Sequence, residues 1–180
     1  SPDAALCGDA LRAAVREAVM GTAAIDVHTH LFPVQHGDLL LWGIDEMLTY
    51  HYLVSEMFMV APGELTYEAF FALPKPRQAD LVWTHLFVER SPLSEAQLGV
   101  LTTLKKLGLA DLVRTKDLGA IRRWFAAQDP LEYTDLVFKL ANLRHVIMTN
   151  IPFDEKEAGC WVRADAQIDA AAGAFMRDGD

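Results

Sequence analysis

A chain of 180 residues, 52 % apolar and 23 % charged, has the usage of a folded protein and room for one well-buried core or a core with an appendage. Its net charge of −9, without a cluster of lysine and arginine, excludes a nucleic-acid surface and gives no general attraction for an anionic substrate, which would need locally placed arginines. No stretch approaches the ~20 uninterrupted apolar residues of a membrane helix. The first residues lack the basic-then-apolar form of a signal peptide, and the isolated Cys7 and Cys160 fit a reducing cytoplasm better than a disulfide scaffold.

Residues 4–20 are expected to form the first helix. Leu6, Ala10, Leu11, Ala14, Val15, Ala18 and Val19 make an apolar stripe at helical spacing, and Gly21 is the stop. The stretch Ala23–Pro33 follows and carries Asp26-Val27-His28-Thr29-His30. β-Branched Ile25 and Val27 favour an extended backbone, on which side chains two apart share a face. His28 and His30 are therefore expected to leave one face together, with Asp26 behind them in the same row. Two imidazoles at that spacing can hold one divalent metal, and Asp26 can orient an imidazole. A His-x-His is often incidental on a surface; at the end of a buried strand, two residues after an aspartate, it reads as a metal motif.

After Pro33 the chain turns helical. A polar turn at Gln35–Asp38 and an apolar loop at Leu39–Gly43 lead into one helix from about Ile44 to Val60, with Asp45 and Glu46 against the positive end of its dipole. Its almost uniformly apolar sequence predicts burial on most faces. On spacing alone, His51-Tyr52 inside it reads as a satisfied core histidine beside a core tyrosine. Further helices are expected from an opening at Thr66–Ala69 to before Pro74, at Arg77–Glu89, after Ser94 with its Gln97 capping-box partner, after Asp117, and from Asp129-Pro130 onward. His85 has no second ligand one turn away and reads as structural.

A second strand is expected at His145–Thr149, closed by Asn150–Asp154. Its short apolar run suits a buried parallel strand. Parallel strands carry functional groups at their C-terminal ends, which makes Thr149, Asn150 and Asp154 candidates for a site rim, though Asn and Asp also simply favour turns. From Glu155 onward the pattern weakens, with an alanine-rich helical candidate at Gln167–Met176.

Asp26-Val27-His28-Thr29-His30 resembles the first-strand signature of the amidohydrolase superfamily of metal-dependent (β/α)8 barrels. Within it the closer resemblance is to the uronate (glucuronate) isomerases. Those proteins follow the His-x-His strand with a helical excursion containing a His-Tyr pair, here His51-Tyr52, and later end a strand in Thr-Thr-Asp-Asp-Pro or a relative, here Met148-Thr149-Asn150-Ile151-Pro152. The correspondence runs in order over residues 22 to about 155. It implies an α/β fold: the N-terminal part of a (β/α)8 amidohydrolase-type barrel with a large helical insertion after the first strand. One incomplete domain over 1–180 would then comprise a first barrel strand with the metal motif at 22–33, a helical insertion at 37–143 and a second barrel strand at 144–154. The implied metal ligands are His28 and His30, holding zinc or another divalent metal. The resemblance also reverses the reading of His51 and Tyr52, which become catalytic and substrate-binding residues, with Asn150 as a further substrate contact.

The implied reaction is the aldose–ketose isomerisation of a hexuronate of glucuronate or galacturonate type, with a small sugar acid as partner and neither nucleic acid nor membrane. It moves a proton between C2 and C1, and needs an acid/base pair and polarised oxygens. A phenol with the ordinary pKa of ~10 is a poor base unaided, so Tyr52 alone does not settle the base. Two departures stand out: Ile151 occupies a position where the family has an aspartate, and Asn150 replaces another acidic position. A (β/α)8 barrel takes ~250 residues, so the chain is expected to be the N-terminal part of a longer protein and inactive alone. Its unpaired strand edges leave a homo-oligomer open. Two other readings compete, a metal-dependent hydrolase of the same superfamily and a non-catalytic helical binding module; the His51-Tyr52 pair favours the isomerase over the hydrolase.

Overall fold

The computed structural model describes residues 7–29, 42–61, 63 and 65–148. The described architecture is helix-rich α/β, with one two-stranded parallel sheet. It divides into two compact units, residues 1–40 with 131–180 and residues 41–130. No helix among the described residues is long and apolar enough to cross a membrane.

The first unit contains α1 (Gly8–Gly21), β1 (Ala24–Thr29), most of α9 (Pro130–Ala141) and β2 (Leu143–Met148). Asn142 ties it together. With φ at 52° it takes the left-handed conformation that asparagine tolerates, which ends α9. Its carbonyl accepts the Ala24 N–H at 2.9 Å, which starts the strand pairing, and its side-chain Nδ2 donates to Met20 O at the end of α1. The parallel register pairs Ala24 with Leu143, Ile25 with His145, Asp26 with Val146 and Thr29 with Met148, with irregularities before Ile25 and between Asp26 and Thr29.

The expected burial of this region is only partly realised. Val146 of β2 is buried. In β1, however, Ile25 and Val27 are exposed, Val27 at 66 %, and Asp26 and Thr29 are the more covered residues. The strand thus departs from simple alternation, because its register slips between Asp26 and Thr29 and the extra residue turns the side chains off the regular pleat. The stripe of α1 is likewise exposed at Leu11, Val15 and Val19, and the helix buries none of its residues.

The second unit holds the core. The single helix expected over Ile44–Val60 is two, α2 (Ile44–Leu48) and α3 (His51–Val60). Thr49 makes the break: its hydroxyl donates back to Asp45 O at 2.7 Å, and Tyr50 then turns extended at φ −62°, ψ 140°. The Tyr50 carbonyl accepts the Val54 N–H at 3.1 Å and so opens α3. Ile44, Leu48, Leu53, Val54 and Met57 are buried, whereas His51, Tyr52 and Met59 are exposed. The expectation of burial on most faces, and with it a core His51, is therefore corrected: the histidine opens a helix at the surface.

The remaining elements are α4 (Tyr67–Phe71), α5 (Lys75–Trp83), a π-helical turn (Thr84–Val88), α6 (Glu95–Lys106), α7 (Ala110–Arg114) and α8 (Leu118–Ala126). Side-chain caps start three of them: Thr66 accepts from Ala69 N, Ser94 from Gln97 N, and Asp117 from Ala120 N. The capping box at Ser94 is a variant, since Gln97 Oε1 accepts the Leu93 N–H instead of that of Ser94, while its Nε2 joins Ser94 Oγ on Glu56 Oε2. The helix expected over Arg77–Glu89 changes pitch at Thr84, where Glu89 N donates to Thr84 O at 2.9 Å and Trp83 stacks on Phe87 at 4.9 Å. Facing apolar residues, among them Phe70, Val82, Leu86, Leu104, Ile121 and Phe125, fill the interior.

One ionic cluster ties α2, α5 and α8 together. Arg122 Nε donates to Asp45 Oδ1 at 2.8 Å, and its terminal nitrogen donates to Asp80 Oδ1 and to Pro76 O, each at 2.8 Å. Burial opposes the guanidinium charge, but hydrogen bonds and the fields of Asp45 and Asp80 outweigh it and raise its pKa above the ordinary value. Lys75 and Glu46 add a pair at 3.1 Å.

Candidate functional site

Two groups of candidate residues are described, one in each unit. In the first unit His28 lies near the C-terminal end of β1, one residue before Thr29, which pairs with Met148 at the end of β2. Both strands run the same way, so their functional ends lie side by side, the arrangement that gives parallel sheets their binding edge. His28 is exposed. Asp26 Oδ1 accepts the backbone N–H of His28 at 3.0 Å, a local bond of the kind aspartate makes two residues on. It secures the backbone where the register slips. His30, Thr149, Asn150, Ile151 and Asp154 lie outside the described residues.

An exposed imidazole has the donor chemistry that zinc or another divalent cation takes, and His28 supplies one such donor near the end of β1. Among the described residues no group of three or more His, Cys, Asp or Glu side chains is gathered for a metal.

The second group opens α3. The His51 and Tyr52 rings meet with centroids 4.1 Å apart, so the structure brings this sequence-predicted pair together. Tyr50 joins them at 4.3 Å from His51 and 5.5 Å from Tyr52. Sequence reasoning passed over Tyr50. The signal available was its position in Tyr-His-Tyr, obscured by the assumption that a single helix ran through it.

His85 Nδ1 lies 2.8 Å from Glu89 Oε2 across the π-helical turn. A carboxylate therefore does stand one turn from His85, which corrects the expectation that none would.

A scan against protein-family models gave no match, and neither did a search of curated proteins. Among solved structures, the chain is similar to a uronate isomerase from Bacillus halodurans C-125, with a TM-score of 0.77 and 45 % sequence identity over 88 % of this chain. This chain is related to the uronate isomerases. It spans 37 % of the length of the Bacillus uronate isomerase. Identity at that level across most of the chain bears out the resemblance seen in the His-x-His, His-Tyr and Thr-Asn-Ile-Pro landmarks.

Proposed function

We propose that this chain is the N-terminal part of a uronate isomerase that interconverts the aldose and ketose forms of a hexuronate of glucuronate or galacturonate type. The observation that carries the reading is the 45 % identity and common fold shared with the Bacillus uronate isomerase over 88 % of the chain. In this reading β1 and β2 are the first two strands of a (β/α)8 barrel, and the helical unit is the insertion between them. The working enzyme is cytoplasmic and takes the sugar acid as its partner, with a homo-oligomer as one way to cover open strand edges.

His28 and His30 are the residues that would hold a divalent cation such as zinc, which when bound supplies polarisation of the substrate's carbonyl and hydroxyl oxygens. His51 and Tyr52 present an imidazole and a phenol to the sugar acid. They hydrogen-bond its oxygens and share in carrying the proton between C2 and C1. Asn150 contributes an amide, which can donate and accept at the rim. With Ile151 at an expected carboxylate position, that carboxylate's role falls to residues elsewhere in the enzyme.

A chimera tests this reading. The segment of the Bacillus uronate isomerase that matches this chain is replaced by residues 1–180, and glucuronate conversion to ketose is followed by NMR. Turnover is expected in the chimera, is expected to vanish in its His28→Ala, His30→Ala variant, and is not expected from the 180-residue chain alone. A folded, zinc-loaded chimera without turnover, or turnover that survives loss of both histidines, overturns the assignment.

A further inference from the structure

We infer that Tyr50 is a positioning residue that sets the direction of the His51 imidazole and, through it, the substrate contact proposed for His51 and Tyr52; the inference rests on that reading of the pair. Three consecutive rings at a helix start would ordinarily diverge, since successive residues of a helix point about 100° apart. Here the three rings form a cluster in which both tyrosines meet the middle one: Tyr50 lies 4.3 Å from His51 at 51°, and Tyr52 lies 4.1 Å from it at 43°. The two tyrosines also meet each other edge to face at 5.5 Å.

The backbone explains how Tyr50 reaches this place. It stands one residue before α3 in an extended conformation, so its ring is not carried around the helix with the next two. Its carbonyl is fixed by the Val54 N–H, and Leu53 and Val54 anchor the first turn in the core. The Tyr50 side chain caps no helix N–H. It is 48 % exposed and Tyr52 is 58 % exposed, so neither is held in place by full burial. An exposed imidazole free to turn would lose rotamer freedom on meeting a ligand. A ring packed against two neighbouring rings has already lost part of it, which favours binding through a fixed nitrogen direction.

The test uses the 180-residue chain, with the imidazole resonances of His51 read by NMR and assigned by their loss in His51→Gln. In the wild-type chain these resonances should be displaced from the free-histidine position by the adjacent rings. Tyr50→Phe, which keeps the ring, should leave them in place, and Tyr50→Leu should move them. Glucuronate titrated onto the chain should perturb His51 in the wild-type and Tyr50→Phe chains, and roughly 2- to 10-fold more weakly in Tyr50→Leu, the scale of one aromatic contact or one immobilised side chain. The half-exposed position makes both variants compatible with folding, and circular dichroism checks it. Resonances unmoved by Tyr50→Leu would overturn the inference, and so would an equal glucuronate response in that variant. If the resonances depend on Tyr50 but glucuronate perturbs His51 in no chain, the substrate reading of the pair fails and Tyr50's role fails with it, while the ring order stands.

Discussion

Replacing Arg122 by leucine should destabilise the helical unit by about 2–3 kcal/mol. The guanidinium makes two ion pairs and one carbonyl hydrogen bond, all at 2.8 Å, and its side chain is 29 % exposed beside carboxylates at 22 % and 32 %. Hydrogen bonds to charged groups contribute about 1.5–3 kcal/mol, while well-exposed pairs contribute only about 0.2–1 kcal/mol. This cluster lies between those limits, and its contacts share one side chain, so they do not add. The loss also leaves Asp45 without its cation, while Asp80 keeps Arg77 at 3.0 Å. A further variant separates that penalty from the value of the pairs. If uncompensated charge on Asp45 dominates, Arg122→Leu with Asp45→Asn should recover a large part of the loss, Asp80 being left on Arg77. Urea unfolding followed by tryptophan fluorescence is the assay, because Trp42, Trp83 and Trp124 all belong to the helical unit. The melting temperature should fall by roughly 5–10 °C. A change below about 0.5 kcal/mol in Arg122→Leu, typical of an ordinary surface position, would refute the claim that this cluster clamps α2, α5 and α8.

Three further outcomes follow from particular residues. Leu104→Ala, at a fully buried position of α6, should cost about 2–5 kcal/mol in urea unfolding. Leu98→Ala, in the same helix but exposed, should stay within about 0.5 kcal/mol; equal costs would contradict the burial pattern. Burial raises the Tyr133 pKa above 10.0, so its neutral phenol contributes fully below pH 10 and that contribution declines as pH rises through the folded value. Tyr133→Phe should therefore flatten the alkaline loss of stability above pH 10, and an unchanged slope would exclude Tyr133 as a source. His28→Ala and His30→Ala should each lower zinc affinity at least ~10-fold; unchanged zinc stoichiometry in the double variant, measured by calorimetry, would remove the metal reading.

Much of the helical architecture was legible because its signals are local. Thr66, Ser94 and Asp117 each cap a helix through a bond spanning three residues, which a sequence displays directly. Gly108 takes φ 81° after α6, the left-handed conformation in which glycine commonly ends a helix. The second strand begins at Leu143, two residues before the expected start, because Asn142 closes α9 and passes straight into pairing. What the sequence hid was non-local or conformational. Arg122 meets an aspartate 77 positions earlier, and no periodicity announces such a partner. The break at Thr49 rests on a back-bonded hydroxyl, and the uniform hydrophobicity of Ile44–Val60 concealed it. That error mattered most for the site, since it placed His51 inside a helix and gave Tyr50 no role.

The two groups of candidate residues stand on supports of different strength. The His51 ring cluster opens a helix whose first turn is anchored by buried Leu53 and Val54, so its position comes with the core. His28 stands on a strand with one paired neighbour among the described residues, an irregular register and exposed Ile25 and Val27. Parallel strands draw their stability from cover on both faces, and a two-stranded sheet alone is marginal in water. Bringing β1 and β2 together also closes the long helical excursion between them, at an entropic cost that one run of strand pairing scarcely offsets. A ligand held at the end of β1 acts on that balance by mass action, stabilising the paired strands by about 2.7 kcal/mol at a concentration 100 times its dissociation constant. A metal on His28 and His30 would therefore contribute to the order of the strand that presents it, as well as to the chemistry proposed for it.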